Sequence, residues 1–366
     1  GCAARALAPG SARPGGRYRG RIQGGGYGMN ITKRNFLGAA AGAAMAGGLA
    51  MPAVAKAPRV LKISHQWPAY VDFRDVLCRK FAAAVEQRTN GALKFQIYPG
   101  ASLFRPNQQF DAMANGALDM AVYVLAYSGG KMPPVNITLM PAMLESYAQG
   151  YGWENAAIGQ WLAHYLDDHG VDLVSWIWQG GGSASRDKPI LVPADVKGLK
   201  VRGAGKMVEL MLQSAGASIS TFPSTETYNA MRSGVVDALW TTSASLMSFR
   251  LQEVAKDVTT ARKYTFFYSF NPLLMSRDTL RKLDPSEQKV MLEVGHEMQS
   301  FALAACRADD QKVAQVFGQA GVHVYDLDKA HFLEWKKLAE RSAWKDFARQ
   351  VKGGQKLIDM AQSVAA

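Results

Sequence analysis

Hydrophobic and polar positions alternate along this chain with two different periods. Residues 59–65 alternate every second position, as a half-buried strand does, whereas residues 71–88 repeat with the longer period of an amphipathic helix. An Asn-Gly turn then leads into a second alternating segment at residues 93–98. Strands that alternate with helices of this length predict an α/β fold with a largely parallel sheet.

One strand–helix–strand pattern occurs twice. Residues 98–99 (Tyr-Pro) precede a helix that contains residues 112–116, and residues 222–223 (Phe-Pro) precede a helix that contains residues 230–234. Each helix ends at a glycine, which suits a helix C-terminus, and each glycine leads directly into a strand. Copies 230 − 112 = 118 residues apart are too distant for stacked repeats. We interpret them as two domains of similar plan, with a chance match as the alternative.

The strand ends of the two copies locate a cleft. Ligands of α/β sheets bind beyond the carboxyl ends of the strands. Aromatic and polar side chains lie at those ends here: Tyr98, Tyr123, Tyr127, Phe222, Trp240 and Thr241. The first strand ends at His65 and is followed by Trp67. We expect these residues to face a cleft between the two domains, with His65 more suited to hydrogen bonding than to catalysis.

A long helix is predicted near the carboxyl end. Residues 284–287 (Asp-Pro-Ser-Glu) combine a capping residue, a proline suited to the first helical position and a glutamate three residues after the cap. Helical periodicity continues to about residue 320, a length of roughly 50 Å. Gly295 is a candidate bend within it. A helix of this length is long enough to brace both domains.

The amino-terminal region has the features of an export signal. Met29 begins a charged segment, residues 36–51 are apolar, and residues 52–55 supply a small-residue cleavage site. We predict a signal peptide over residues 29–55, either of the twin-arginine type with Lys33 replacing the first arginine or of the ordinary secretory type. Residues 1–28 are interpreted as an upstream segment without fold or function. The mature protein is expected in the periplasm.

The formal net charge of +12 suggests nucleic-acid binding at first sight. Residues 1–55, however, contain seven basic residues and no acidic residue. The other 366 − 55 = 311 residues therefore carry 12 − 7 = +5. They contain no basic stripe interleaved with aromatic residues, so we expect no nucleic-acid partner.

Motifs for catalysis or metal binding are incomplete. Residues 203–206 resemble part of a P-loop but fail at both of its defining positions, and residues 180–183 lack the last glycine of a nucleophile elbow. No paired-histidine zinc motif is present in the sequence. Cys78 and Cys306 fall among apolar helical neighbours and are expected to be buried free thiols, with a disulfide as the alternative. We expect no catalytic residue, metal or cofactor.

The run at residues 188–202, Lys-Pro-Ile-Leu-Val-Pro-Ala-Asp-Val-Lys-Gly-Leu-Lys-Val-Arg, is the most distinctive of the chain. It resembles the characteristic segment of the receptors of tripartite ATP-independent periplasmic (TRAP) transporters, the DctP-type solute-binding proteins. Residues 98–104, 115–119 and 226–237 are also similar to this family. The resemblance covers residues 59–350. It implies two α/β domains joined by crossing strands, braced by a long helix and closing on the ligand by a hinge.

The resemblance also implies an organisation and a partner. We expect domain I to comprise residues 56–179 and 268–307, and domain II to comprise residues 180–267 and 308–366. The protein is expected to be a monomer that delivers a small carboxylate to the TRAP membrane permease. A periplasmic enzyme acting on a carboxylate is the alternative from another class. A binding protein of an ATP-driven importer or of a sensor would share the same kind of pocket.

Basic residues of the distinctive run are the implied ligand contacts. The resemblance implies that Arg202 forms a salt bridge with the carboxylate of the ligand. A planar guanidinium suits this role, because its paired donors match both carboxylate oxygens. Lys188 stands where some relatives carry a second basic contact, and Arg186 lies two residues before it. Each is either a ligand contact or a solvated loop charge.

Departures from the family pattern suggest the kind of ligand. Residues 238–242 are Ala-Leu-Trp-Thr-Thr, whereas many relatives have Gly-Gln-Glu-Asn-Pro, and Tyr123 begins a segment where some relatives have a glutamate. Trp178 is the tryptophan that we expect in the cleft. The hypothesis is therefore a monocarboxylate with an apolar or aromatic body. The expected ligand-binding residues are Arg202, Trp240, Thr241, Trp178, Phe222, Tyr123, Trp67, His65, Lys188 and Arg186.

Overall fold

A computed structural model describes residues 57–365 of the chain. The upstream segment 1–28, the predicted signal peptide 29–55 and Cys2 lie outside the described residues. Residues 57–365 include no helix that is both long and apolar enough to cross a membrane.

Twelve strands and twelve α-helices are found in the described part. The strands are β1 (Arg59–Ser64), β2 (Leu93–Tyr98), β3 (Met120–Val122), β4 (Val171–Ser175), β5 (Trp178–Ser185), β6 (Lys200–Arg202), β7 (Ser218–Ser220), β8 (Ala238–Thr242), β9 (Asp257–Thr260), β10 (Tyr268–Phe270), β11 (Leu273–Ser276) and β12 (His323–Asp326). The helices are α1 (Phe73–Arg88), α2 (Gln109–Ala114), α3 (Tyr147–Gly152), α4 (Ala157–Asp168), α5 (Lys206–Ser214), α6 (Thr227–Arg232), α7 (Ser243–Ser248), α8 (Arg277–Arg281), α9 (Pro285–Gln319), α10 (Lys329–Ala339), α11 (Lys345–Gln350) and α12 (Gly354–Gln362).

The strands form two mixed sheets. The first has five strands in the order β2-β1-β3-β11-β4, and the second has seven in the order β12-β9-β5-β8-β6-β7, with β10 also paired to β5. In the first sheet β11 is antiparallel to both of its neighbours. In the second sheet β5 is antiparallel to β8, β9 and β10. The prediction of α/β layers with largely parallel strands is confirmed, with one reversed strand in each sheet.

The sequence repeat corresponds to a repeat of topology. Strands β2-β1-β3 lie side by side and are all parallel, and so are β7-β6-β8. Helix α2 leads into β3 and helix α6 leads into β8. Both helices are followed by a glycine with positive φ, at Gly116 and Gly234. The two halves therefore share one βαβαβ plan, and the carboxyl ends of their central strands lie at corresponding positions.

The two reversed strands belong to the segments that connect the sheets. The chain leaves the first sheet at β4 and enters the second at β5, and it returns through β10 to β11. Strands β5 and β10 pair antiparallel, with Trp178 opposite Phe270. This arrangement confirms the predicted crossing strands. The domain boundaries expected between residues 179 and 180 and between residues 267 and 268 fall at this pair of strands. The described residues together form one compact unit.

Local signals account for where the two main helices begin. Helix α1 starts at Phe73 rather than at residue 71, because the side chain of Asp72 caps it by accepting a hydrogen bond from the backbone N–H of Arg74. Helix α9 begins with the predicted capping box of Asp284 and Glu287. Gly295, predicted as a bend, is better explained by close packing. A Cβ there would lie 2.2 Å from the backbone oxygen of Val174 in β4, so only glycine lets the helix approach this strand so closely.

Helix α9 contacts both halves, as predicted for a brace. It packs against α1 and β4 of the first half and against α7 and β5 at the second sheet. Cys306 on this helix and Cys78 on α1 are both buried free thiols, as expected. Asp310, also buried, accepts hydrogen bonds from the hydroxyls of Tyr147 (2.7 Å) and Ser243 (2.5 Å). Burial raises the pKa of Asp310 to about 6 despite these hydrogen bonds.

We predict that Asp310→Asn stabilises the protein more at pH 7.5 than at pH 4. The folded-state pKa of Asp310 lies above its unfolded value of 3.8. The folded state therefore favours the protonated carboxyl. The contribution of Asp310 to the free energy of unfolding is complete below about pH 4 and is lost as the pH rises through about 6. The asparagine variant does not titrate, so its advantage over the native chain should grow by about 1–3 kcal/mol across this range. Thermal melts at both pH values measure it, with the exposed Asp278→Asn as a control expected to show no such change.

Candidate ligand-binding site

A buried arginine stands at the carboxyl end of the short strand β6. Only 2% of the surface of Arg202 is exposed. Its Nη1 donates a hydrogen bond to the backbone oxygen of Trp240 (2.7 Å), and its Nε donates to that of Phe222 (3.1 Å). Within residues 57–365, Nη2 has no acceptor and no carboxylate forms an ion pair with this guanidinium. The two carbonyl groups orient the side chain but leave its positive charge without a directly paired carboxylate, which is costly in a buried position.

The guanidinium faces a small inner cavity of about 20 Å³. Three of the expected site residues, Arg202, Thr241 and Trp67, line it together. Its other lining residues are Val124, Tyr127, Ala204, Ser224, Thr242, Ser245, Ser269 and Asn271. This volume is enough for about one water molecule. Both sheets and the returning crossing segment contribute to the lining.

A larger outer cavity of about 390 Å³ adjoins the inner one. Arg202, Tyr127 and Ala204 line both cavities, so the arginine stands at the boundary between them. Phe222, another expected site residue, lines the outer cavity. Glu209 also lines it, and burial raises the pKa of this carboxyl even though a hydrogen bond from Thr221 and the charge of Arg202 lower it.

Two hydroxyl groups of the inner cavity are surrounded by hydrogen-bond donors. Ser245 Oγ lies 3.3 Å from Trp67 Nε1 and 3.3 Å from both Nη1 and Nη2 of Arg74. Thr242 Oγ1 faces Arg74 Nη1 and the backbone N–H of Ser245, each at 3.4 Å. Each hydroxyl has one proton to donate. The two hydroxyls form one hydrogen bond with each other, at 3.0 Å, which uses one of the two protons. The second proton is therefore free for an acceptor in the cavity.

Asn271 adds a further donor to the inner cavity. Its Oδ1 accepts a hydrogen bond from the hydroxyl of Ser269 at 2.8 Å. None of the described residues accepts a hydrogen bond from its Nδ2. Together with the free Nη2 of Arg202, this amide makes the lining rich in donors, which suits a ligand with several acceptor oxygens.

A buried ion pair supports the hydroxyl groups. Arg74 and Asp72 are both fully buried, with Nε–Oδ1 at 2.6 Å and Nη2–Oδ2 at 2.5 Å. The Ser248 hydroxyl also donates to Asp72, at 2.5 Å. Burial raises the pKa of Asp72, but the charge and hydrogen bonds of Arg74 outweigh it and hold the pKa below its usual value. The Arg74 guanidinium lies 3.9 Å from the centroid of Trp67, so the pair also fixes this wall of the cavity.

The side chain of Trp240 does not face the cavity. Thr241 and Thr242 of β8 line the cavity, whereas Trp240 does not. The Trp240 ring is buried in the core, where it packs edge-on against Phe266 (5.7 Å) and Trp335 (6.3 Å). Only its backbone oxygen reaches the site, through Arg202. The expectation for the Trp240 ring is therefore corrected.

Trp178 and Tyr123 also lie away from the cavity lining. The Trp178 ring packs against Phe270 (4.7 Å) and Trp153 (5.0 Å), and a Cβ on Gly150 would come within 2.9 Å of it. These contacts place it in the core where the strands cross. Tyr123 is buried behind the cavity, with its hydroxyl bonded to Ser128. The expected cleft positions of both aromatic rings are corrected for this reason.

His65 is buried in the core and does not line the inner cavity. It is completely buried, its Nε2 lies 3.1 Å from Asp75 Oδ1, and its Nδ1 accepts a hydrogen bond from the backbone N–H of Trp67. Burial raises the pKa of Asp75, but hydrogen bonds from His65, Arg79 and the Tyr70 backbone more than offset this and lower it. His65 therefore orients the segment that carries Trp67 instead of lining the cavity.

Lys188 and Arg186 lie at the wrong end of the second sheet for ligand contact. The backbone N–H of Arg186 is bonded to Asp237, just before β8 begins, whereas Thr242 at the other end of β8 pairs with Gly181. Four residue steps along a strand separate these ends by roughly 13 Å. Lys188 is exposed in the loop beyond β5. Both residues fit the alternative of solvated loop charges.

The structure brings in residues that sequence reasoning missed. Thr242 caps α7 by accepting from the Ser245 N–H, and a threonine at the end of a strand before a helix is a recognisable signal. Ser269 and Asn271 come from the returning crossing segment. No local pattern marks them, because only the pairing of β10 with β5 brings them to the cavity.

Comparison with known proteins places the chain in a family. The model of the bacterial extracellular solute-binding proteins, family 7 (DctP), matches residues 63–350. The chain belongs to this family. A solute-binding protein of Albidiferax ferrireducens is 46% identical to this receptor over 306 residues, which are 82% of this chain and 90% of the relative. The C4-dicarboxylate-binding periplasmic protein of Rhodobacter capsulatus is 25% identical and covers 86% of this chain and 92% of its own length.

A solved structure confirms the fold of this TRAP receptor. The TRAP periplasmic solute-binding protein from Rhodoferax ferrireducens, determined with bound malonate, is 46% identical to it. The TM-score is 0.82, and the match covers 83% of this chain and 98% of that one. The predicted TRAP family and the two-domain α/β architecture with crossing strands are thereby confirmed.

We predict that Asp72→Ala lowers the stability of the receptor by about 3–5 kcal/mol, because it leaves the buried Arg74 charge without its partner. Asp111→Ala is the matched control. It removes the same side chain from an ion pair with Lys131 in which both partners are substantially exposed, and it should cost less than about 1 kcal/mol. Urea unfolding measures both. Equal destabilisation by the two variants would contradict a structural role for the Asp72–Arg74 pair.

Proposed function

We propose that this protein is a periplasmic TRAP receptor that captures a small carboxylate through Arg202 and delivers it to a TRAP membrane permease. The observation that carries the proposal is the buried, unbalanced guanidinium of Arg202, held by two backbone oxygens with Nη2 directed to no acceptor among the described residues. A ligand carboxylate would supply the missing negative charge and accept a charge-assisted hydrogen bond.

The lining favours a ligand with acceptor oxygens at two ends. The expected apolar or aromatic body rested on Trp178, Trp240 and Tyr123, whose rings pack away from the inner cavity. What remains in the lining of the inner cavity besides Arg202 is the donor group formed by the Ser245 and Thr242 hydroxyls and the Asn271 amide. We therefore propose a short acid with a second carboxylate or another acceptor. The malonate bound to the 46%-identical Rhodoferax protein supports a ligand of this kind.

Binding of the ligand inside the inner cavity would require the two halves to move. An inner cavity of about 20 Å³ holds roughly one water molecule, which is less than a three-carbon acid needs. We propose that the sheets separate about the crossing strands to admit the ligand and close again around it, as in other hinged binding proteins. The two bodies would be the proposed domains, residues 56–179 with 268–307 and residues 180–267 with 308–366, in a monomer.

We predict that Arg202→Ala weakens malonate binding about 100-fold or more, because a buried charge-assisted contact is lost. Without ligand, its melting temperature should stay unchanged or rise, since an unbalanced buried charge has been removed. Arg186→Ala is the matched control: the same substitution near the far end of β8 should leave affinity unchanged. Isothermal titration calorimetry and thermal melts measure these effects.

Two outcomes would contradict this assignment. The arginine anchor is wrong if Arg202→Ala binds malonate as tightly as the native chain, or if Arg186→Ala weakens binding as much as Arg202→Ala does. The receptor role fails if the bound acid is recovered as a converted product instead of unchanged, because a receptor releases what it binds.

We predict that the receptor binds malonate at least about tenfold more tightly than propionate or benzoate, because only malonate has an acceptor for the second donor group. Ser245→Ala should reduce that preference about tenfold or more while changing propionate affinity little. Comparing the two acids within one variant cancels any general effect of the substitution on the fold. Tighter binding of benzoate than of malonate would contradict this proposal and support the aromatic monocarboxylate expected from the sequence.

A further inference from the structure

A concave basic surface lies on the carboxyl-terminal helices, outside the ligand-binding site. Arg341, Lys345 and Arg349 line a groove of about 310 Å³, and Leu210 and Ser214 of α5 form its other wall. Ser342 and Asp346 complete the lining. We call this surface the basic groove.

The basic groove belongs to the segment in which the excess positive charge of residues 56–366 is concentrated. Residues 329–356 contain eight Lys and Arg residues and three Asp and Glu residues, a net charge of 8 − 3 = +5. The whole of residues 56–366 also carries +5. Acidic and basic residues therefore balance over the rest of residues 56–366. Helices α10, α11 and α12 with their connections, residues 329–362, also include Asp359 and carry 8 − 4 = +4 of this charge.

The groove cations are held on a rigid frame and lack strong internal partners. A π-helical turn, Glu340–Trp344, joins α10 to α11. Trp344 on this turn is buried, and its Nε1 donates to the backbone oxygen of Pro141 at 2.9 Å, which fixes the rotation of the helix. Arg341 and Lys345 are exposed and form no ion pair with any of residues 57–365. Arg349 has one long contact, 3.4 Å, with Asp346.

We propose that the basic groove binds the phosphate groups of anionic phospholipids at the membrane surface. Arginine guanidinium groups match phosphate oxygens in a paired geometry, and several cations on one face add their attraction to an anionic leaflet. A protein segment fits the groove less well. Protein interfaces are anchored by aromatic or large apolar side chains, and Leu210 is the only apolar residue in this lining.

The position of the groove gives this contact a consequence for the receptor. The carboxyl-terminal part of α5 supplies Leu210 and Ser214 to the groove, and Lys206 at the start of the same helix lines the outer ligand cavity. A nine-residue helix is roughly 13 Å long. A receptor bound through the groove would thus hold its ligand cavity close to the membrane in which a permease lies.

The test is co-sedimentation with phospholipid vesicles at low ionic strength. The chain from Lys56 is used, because it contains the compact unit described above and lacks the seven basic residues of residues 1–55. Vesicles of phosphatidylcholine with about one third phosphatidylglycerol are compared with phosphatidylcholine alone. The groove variant carries Arg341→Ser, Lys345→Ser and Arg349→Ser. The control carries Lys62→Ser, Lys94→Ser and Lys282→Ser, which removes the same charge from exposed positions outside residues 329–356.

The proposal predicts binding to the anionic vesicles only, weakened at least about 50-fold in the groove variant and little in the control, since each cation at the surface contributes about a fivefold factor. Equal weakening in both variants, or no binding to anionic vesicles, would overturn it. Displacement by millimolar inorganic phosphate would instead assign the groove to soluble phosphate. Groove-dependent capture of the permease without vesicle binding would assign it to an acidic protein surface. Malonate affinity, measured in parallel, should be the same in all three chains.

Discussion

The unbalanced charge of Arg202 is the constraint on which the site depends. The fold places this guanidinium at the end of a central parallel strand, buries it and fixes its direction with the Trp240 and Phe222 carbonyls. Carbonyl dipoles orient a cation without neutralising it, which is why we propose this guanidinium as the anchor for an anionic ligand. The inner cavity beside it is lined by hydroxyl and amide donors, which favours an anion with several acceptor oxygens.

A second buried arginine shows the difference between a structural and a functional charge. Arg74 is as deeply buried as Arg202, but Asp72 pairs with it in a bidentate geometry. Its remaining donors saturate Ser245 and Thr242 and so direct a hydroxyl proton into the cavity. In the proposed site the unpaired arginine attracts the ligand, whereas the other, already neutralised, holds the hydroxyl groups of the cavity lining. Two arginines with the same burial have different roles because their partners differ.

The sequence predicted what local patterns encode. The repeated Pro-turn, helix and glycine marked the two equivalent halves, the capping box marked α9, and the distinctive run ending at Arg202 marked the family. The aromatic assignments failed because core packing decides where a ring points: Trp240 packs against Phe266 and Trp335, and Trp178 packs in the crossing region. Asn271 was missed because only the tertiary pairing of the crossing strands brings it to the site.

The most direct test of the central claim is a crystal structure of the receptor with malonate. The expected result is one carboxylate of malonate within hydrogen-bonding distance of Arg202 Nη2 and the other facing the Ser245 and Thr242 hydroxyls, with the Trp178 and Trp240 rings still in the core. A malonate bound elsewhere, with Arg202 bonded only to the two backbone oxygens, would contradict the claim that this arginine is the anchor of the ligand.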